Sequence, residues 1–422
     1  MKNILFIKLE EPFKEKQKPC YVPPIGLWSM RTFIEEKTCG EVSVDICDEH
    51  VGDNLIDMLC KKKYDIFGIS AQFSIQHKEY RRMVGFLKYM YPETPIYSGG
   101  FHAAAVDKPK DVEEVCHGEG EFFMMEKLGY DFTGATMNYL PFPMFKKSEL
   151  KKYWKKKAPH DLESKTDKWM TIETSRGCNR HCSFCGVPNY WGKWRCHTAN
   201  FMEEYCEYLV TKGVKEVFVE DDNLSLDKDR FIHLIDTFKK NDLLWSTPNG
   251  IQASTIYDKE VLNKLSDSTC WKLSLPFETG SEQGRDLMNM KGKWMPYEKA
   301  LKLVKALNNM DIKTVGFFVI GYPGETIDDI KRTLEYANEL PLDGRHIHIA
   351  IPYPGTPLYD LCKKEGYISI DGDELYEELM VSNGLITTQE FNPEIMEKIK
   401  KDDRDDAIAR KRIILHESSA SI

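Results

Sequence analysis

The chain has 422 residues, enough for two or three domains at about 150 residues each. Its hydrophobic content of 41% and charged content of 30%, with 27 Gly and 20 Pro, exclude a disordered, collagenous or membrane-embedded composition and leave a globular protein with a sizeable core. Fifty-eight Lys and Arg against 67 Asp and Glu give a formal charge of −9, which argues against a non-specific nucleic-acid coat while leaving room for a local basic groove.

At the N-terminus only Ile4 to Ile7 separate Lys2 from Lys8, too short a run for the apolar stretch of a secretory signal, so a buried first strand is expected. No window reaches the ~18 apolar residues of a spanning helix. The nearest run, Thr314 to Tyr322, is interrupted by Gly, and a cytoplasmic protein with no membrane contact is expected. Apolar runs at 3–8, 41–47, 64–70 and 95–100 alternate with helix-like stretches at 26–36, 54–62 and 78–90. This alternation predicts an α/β domain over 1–145, a doubly wound parallel sheet that binds ligands beyond its strand ends.

Residues 146–167 change character. Seven Lys and one Glu stand in the twelve residues 146–157, around Tyr153 and Trp154. The stretch reads as a basic linker, either a solvated helix or a phosphate-contacting patch with an aromatic stacking partner. The second alternative admits a modified nucleotide or a nucleic acid as substrate.

From residue 168 a second series begins. Strands are expected at 169–174, 214–220, 246–251, 270–277, 312–321 and 346–352, with helices at 199–212, 227–240, 258–266, 296–309 and 326–340. Six strand–helix units over 168–362 suit an open, partial (β/α)6 barrel whose site lies at the C-terminal strand ends. Residues 363–422 are charged and are expected to form a helical C-terminal segment.

Twelve cysteines in a reducing compartment are read for metals before disulfides. Cys20, Cys39, Cys47, Cys60, Cys116, Cys206, Cys270 and Cys362 stand apart and are expected to be small buried hydrophobes. Cys178, Cys182 and Cys185 fall together in SRGCNRHCSFCG, directly after a predicted strand. Three thiolates there can hold three irons of a [4Fe-4S] cluster and leave the fourth open to a small molecule. The competing reading is a zinc site completed by His181, Cys196 or His197.

Residues 168–360 resemble the radical SAM family through CNRHCSFC, which includes Phe184 just before the last cysteine. The resemblance implies that S-adenosylmethionine chelates the open iron and is reduced to a 5'-deoxyadenosyl radical that abstracts a substrate hydrogen. It implies ammonium acceptors for S-adenosylmethionine at VEDDN (219–223), with Glu220, Asp221 and Asp222 as candidates; helix capping before Asp227 is the alternative. At PFETGSE (276–282) Glu278 and then Ser281 are the candidates for the ribose or methionine moiety, and at VIGYPGET (319–326) Gly321 is the candidate backbone contact to adenine. Tyr322, Tyr353 and His348 are expected to face substrate from the barrel mouth. A low-potential electron donor such as flavodoxin or ferredoxin is implied.

The N-terminal domain resembles the cobalamin-binding domains fused ahead of radical SAM cores, through PPIGLWSM (23–30), ISAQFS (69–74), YSGGFHA (97–103) and HGEGE (117–121). The resemblance implies cobalamin against Ser98, Gly99 and Gly100. DEHVGD (48–53) keeps Asp48 and His50 of a cobalt-ligating loop but has Asp53 where Gly is expected. His50 is a candidate lower ligand, although many such fusions bind cobalamin without that histidine and some have lost cobalamin. Three functions stay open: cobalamin-assisted C-methylation, a cobalamin-independent radical isomerisation or rearrangement, and a non-enzymatic zinc or iron–sulfur protein.

Overall fold

The computed structural model describes residues 1–9, 21–157, 163–379 and 384–405. Cys20, the middle of the basic linker and the last stretch of the C-terminal segment lie outside the described residues.

The first sheet is built of β1 (Lys2–Lys8), β2 (Val42–Asp48), β3 (Ile66–Ser70), β4 (Ile96–Gly99) and β5 (Glu114–Val115), in the order β2-β1-β3-β4-β5. Every pair is parallel. Ile4 to Ile7 of the interior strand β1 are buried on both faces, as a strand covered by helices on each side requires. Phe6 lies so close to β3 that a Cβ at Gly68 would come within 2.5 Å of its ring, so only glycine fits there. Strand order reverses between β1 and β3, which opens a crevice at their C-terminal ends. β5 has only two residues and left no periodic signal in the sequence.

Five short or regular strands precede the second sheet's later members: β6 (Trp169–Ile172), the antiparallel pair β7 (Ser175–Arg176) and β8 (Arg195–Cys196), then β9 (Glu216–Val219) and β10 (Leu244–Thr247). β11 (Cys270–Glu278), β12 (Lys313–Ile320) and β13 (Gly344–Ile349) complete it. Its order, β13-β12-β11-β10-β9-β6, makes each strand a parallel neighbour of the next in sequence. The sheet is an open six-stranded partial barrel. The β7/β8 pair, unforeseen in the sequence, encloses the cysteine loop. β10 starts two residues earlier than expected and stops before Pro248, because Gly250 adopts φ +102 and turns the chain.

The two sheets share a core. Trp28, on the helix Ile25–Lys37, stacks on Phe145 at 4.8 Å and meets Tyr153 edge-on at 6.0 Å, in one apolar cluster with the barrel residues Trp169, Phe218 and Trp245. The basic run forms the helix Lys147–Lys156, with Leu150 and Tyr153 buried. The Tyr153 hydroxyl donates to Asp48 Oδ2 at 2.8 Å, the Trp154 indole donates to the Trp169 carbonyl at 2.6 Å, and Lys152 pairs with Asp53. Both aromatic rings of the supposed stacking patch therefore face inward, and the helix is a strut between the domains. The C-terminal segment, through Leu375, Phe391 and Met396, packs with Leu358 and Cys362 of the last barrel helix on Ile320 and Ile349. No helix among the described residues is long and apolar enough to cross a membrane.

Candidate functional site

One cavity of about 2230 Å³ lies between the two sheets, more than twice the upper end of the roughly 300–1,000 Å³ that holds a single drug-sized ligand. One wall is the C-terminal edge of the first sheet: Ser70, Gln72, Ser98, Gly99, Gly100 and His102. The facing wall is the barrel mouth, with Glu173, Phe184, Cys185, Glu220, Asp222, His348 and Tyr353. The glycines shape it. Gly100 has φ +101, and a Cβ there would sit 2.3 Å from the Ala71 carbonyl oxygen, whereas a Cβ at Gly26 or Gly186 would meet no protein atom within 4 Å. The first fixes the loop after β4, and the other two leave wall space for a bulky occupant.

The cysteine loop is held from several directions. Ser183 donates from its backbone to the Met288 carbonyl and from its hydroxyl to the Leu287 carbonyl, and the Leu358 N–H donates to the Ser183 carbonyl. The Arg180 N–H and the Asn223 side-chain amide both lie 3.4 Å from Cys178 Sγ, an arrangement that suits an electron-rich, metal-bound thiolate. Burial pushes the Cys182 thiol up and the Cys185 thiol up to about 12, with Lys293 opposing both shifts; only a metal would deprotonate such thiols near neutrality. Among the described residues no three His, Cys, Asp or Glu side chains converge on one ion. Cys196 feels Arg230, Asp227 and Asp221, while His197 stacks flat on Phe201 at 3.8 Å, so neither completes a zinc site with the trio. Three thiols in one loop without a convergent fourth donor suit the separate corners of a cluster.

The acidic run at the end of β9 divides by role. Glu220 and Asp222 open on the cavity, and burial pushes Asp222 up to about 6 against the Gly177 N–H that it accepts at 2.8 Å. Asp221 is turned the other way. It accepts from Thr174 N at 2.6 Å, Thr174 Oγ1 at 2.5 Å and the Ser175 hydroxyl, which ties the end of β9 to the chain between β6 and β7 and commits its oxygens away from the cavity.

Five further expected site residues have their own partners in the structure. Ser281 caps the helix Glu282–Leu287 and donates to Asp329 at 2.6 Å, fully buried. Gly321 is covered by Met396, 2.9 Å from where its Cβ would stand. Tyr322 is buried, and its hydroxyl donates to Ser183 Oγ at 2.8 Å, so it supports the cysteine loop from behind and does not face the cavity. His50 follows β2, one strand away from the β1/β3 crevice, and packs edge-on against Tyr21 outside the cavity wall. Glu278 lies beside the cysteine loop, at φ 66 where the β11 register shifts, and is ion-paired with the part-buried Lys293 at 3.0 Å.

The sequence reading missed an ion triad at the domain junction. Arg176, 5% exposed, reaches Glu121 of the first domain at 3.0 Å and Glu173 of the barrel at 2.7 Å, with Ser29 donating to the same Glu121 oxygen. Burial raises Glu173 to about 7, against the pull of Arg176. Its signal was Glu173's position at a predicted strand end. Phe101 stacks on Tyr190 at 4.2 Å across the same junction, a pairing with no local signature.

The architecture, with three cysteines in the loop after the first barrel strand and a cavity shared with a parallel sheet of reversed order, has the fold of a radical SAM domain preceded by a cobalamin-binding-like domain. Residues 172–337 match the family model of the Radical SAM superfamily. The chain is 25% identical over 418 positions to the cytidylyl-2-hydroxyethylphosphonate methyltransferase of Streptomyces wedmorensis, covering 84% of this chain and 77% of that protein. An uncharacterised methyltransferase of Pyrococcus horikoshii is 24% identical, over 80% and 78% respectively. The radical S-adenosylmethionine methyltransferase TsrM from Kitasatospora setae, solved with cobalamin and a [4Fe-4S] cluster bound, has the same fold: TM-score 0.68 at 15% identity, over 88% of this chain and 80% of that one.

Proposed function

We propose that this protein is a cobalamin-dependent radical SAM methyltransferase acting on an unactivated carbon of a small molecule. The observation that carries the reading is the single cavity: the cysteine loop and the first sheet's crevice open into one space, so a methyl donor and a radical generator share one substrate. Two relatives that span four fifths or more of the chain are named as methyltransferases, which favours methylation over rearrangement.

Cys178, Cys182 and Cys185 hold the cluster, and the wall of Ser98, Gly99 and Gly100 holds the corrinoid. When bound, the cluster supplies the electron that cleaves S-adenosylmethionine, and cobalamin supplies the methyl group. The chain's other side chains bind and exclude. Glu220 and Asp222 accept the ammonium of S-adenosylmethionine in a shielded pocket, where such charge-assisted bonds are strongest. Phe184 closes the cluster side, and Lys293 balances Glu278 beside it. His348, which burial and the neighbouring His346 and Lys400 hold down to about 4, is a neutral imidazole at working pH and meets substrate beside Tyr353. The electron comes from an external low-potential carrier such as flavodoxin or ferredoxin.

The test is metal content with product analysis, on protein made with cobalamin available, reconstituted with iron and sulfide and desalted without oxygen. About four irons per chain fit one cubane. With about one cobalt and a methylated product the reading stands; iron without cobalt replaces it with a radical rearrangement, and zinc without iron overturns both. Cys182→Ala is expected to lose the iron and all formation of 5'-deoxyadenosine.

A further inference from the structure

His102, in the short helix Phe101–Ala105 after the glycine pair, is 3% exposed and lines the cavity. Its Nε2 lies 3.0 Å from Nδ1 of His77, itself 2% exposed, and His77 Nε2 lies 3.2 Å from Asp373 Oδ1 on the C-terminal helix Gly372–Glu378. Asp373 is half exposed and takes two further bonds, at 2.6 and 2.7 Å, from Arg81. The three side chains form one hydrogen-bonded line from the outer surface to the cavity wall.

The line fixes where the protons are. Arg81 and then His77 hold the Asp373 carboxyl below its usual range, so it is an anion and can only accept. His77 must therefore donate through Nε2. Burial keeps both imidazoles neutral, His102 down to about 3, so a ring that donates from one nitrogen accepts at the other. His77 Nδ1 accepts, and His102 must donate to it through Nε2. What remains is Nδ1 of His102, an unprotonated lone pair with no protein partner among the described residues. A metal-binding or ligand-binding histidine is often oriented by just such a carboxylate-backed chain.

We propose that His102 is a ligand-contact residue whose Nδ1 accepts a hydrogen bond from a carboxamide N–H of the corrinoid seated against Ser98, Gly99 and Gly100, and that His77 and Asp373 are positioning residues that hold it in the accepting tautomer. The proposal rests on the cobalamin reading. A corrin rim carries several carboxamides, each with two N–H donors and one carbonyl, and the bare Nδ1, which can only accept, is matched to the N–H side of such a group. The C-terminal segment thereby has a part in a site formed by the first domain.

The experiment is anaerobic titration of the full chain with hydroxocobalamin, followed by its absorbance change, for wild type, His102→Phe, His102→Gln and Asp373→Asn. His102→Phe is expected to weaken binding by about tenfold or more, as one lost hydrogen bond of roughly 1.4 kcal/mol implies. His102→Gln, which keeps an accepting oxygen, is expected to recover part of that loss. Asp373→Asn lies on the surface and preserves the fold if the core variant does not; by offering an N–H to His77 it allows the opposite tautomer, and it is expected to weaken binding in the same direction. Melting temperature without ligand is followed in parallel, since a merely structural role would lower it and leave the affinity of the folded fraction unchanged. Wild-type affinity in a folded His102→Phe chain, or in Asp373→Asn, overturns the inference while leaving the cobalamin reading intact. A wild-type chain that binds no hydroxocobalamin overturns both.

Discussion

Tyr322 illustrates how a residue's neighbourhood in sequence can mislead about its neighbourhood in space. It follows the fifth barrel strand, where a ring at the mouth is expected, yet its hydroxyl reaches Ser183 between two of the cysteines. Tyr322→Phe removes that bond while Ser183 keeps the Leu287 carbonyl. A loss of about 1 kcal/mol is expected, seen as a lower melting temperature and faster iron loss, with KM for substrate unchanged. Next to it, Glu325 is fully buried, accepts the Tyr322 N–H at 2.8 Å and has an unpartnered second oxygen. Burial raises its pKa from 4.5 to about 8. Between those values the folded chain binds a proton that the unfolded chain has released, so stability falls as pH rises through that window and the full cost is present above it. Glu325→Gln has no such proton to lose. Its denaturant midpoint is expected to vary less than the wild type's between about pH 6 and about pH 9, and to exceed it at the alkaline end. At this scale the cysteines were legible because their spacing is local. Ser281 and Glu278 were not, because their partners Asp329 and Lys293 lie 48 and 15 residues away.

Elements were read with more success than contacts. Strands and helices of both sheets follow hydrophobic runs that any parallel sheet must have, and the barrel strands fell close to their expected positions. The failures share a cause. β5, β7 and β8 are two residues long, held by partners and not by their own pattern. The basic helix was read from its charges, but its packing is decided by the apolar minority, Leu150 and Tyr153. The loop after β4 was legible, since consecutive glycines mark close backbone approach. Gly100→Ala would place a Cβ 2.3 Å from the Ala71 oxygen at a φ of +101. It is expected to destabilise the chain by more than about 1 kcal/mol and to weaken hydroxocobalamin binding, whereas Gly26→Ala, on a helix with open space around its Cβ, is expected to leave the melting temperature the same or slightly higher.

At the scale of the molecule, the two sheets are joined by contacts of opposite physical kind. Arg176 between Glu121 and Glu173 is buried, and Arg176→Met would leave two buried carboxylates without their counter-charge, Glu121 keeping only the Ser29 hydroxyl. A destabilisation of about 3–5 kcal/mol is expected, measured as a shift of the denaturant midpoint and accompanied by weaker loading of the cavity, because its two walls lose their common anchor. Ligands that fill the cavity act in the other direction. A group bound at a hundred times its Kd adds about 2.7 kcal/mol to the stability of the chain that holds it, so loaded protein is expected to melt higher than the apo form.

The remaining cross-links divide into a dry set and a wet set. Trp28, Phe145 and Tyr153 interlock as buried rings, while the C-terminal segment meets the first domain through the buried His77 on Asp373 and, around it, through the part-exposed pairs of Asp373 with Arg81 and Glu377 with Lys78. Dissolved ions reach the second set and not the first, because screening at about 0.15 M salt already acts over about 8 Å in water and barely penetrates an apolar seam. The molecule therefore has an apolar seam that ignores its ionic surroundings and a fastening whose outer pairs respond to them. Salt is a means of easing one edge of the enclosure while the mount that aligns its two halves stays fixed.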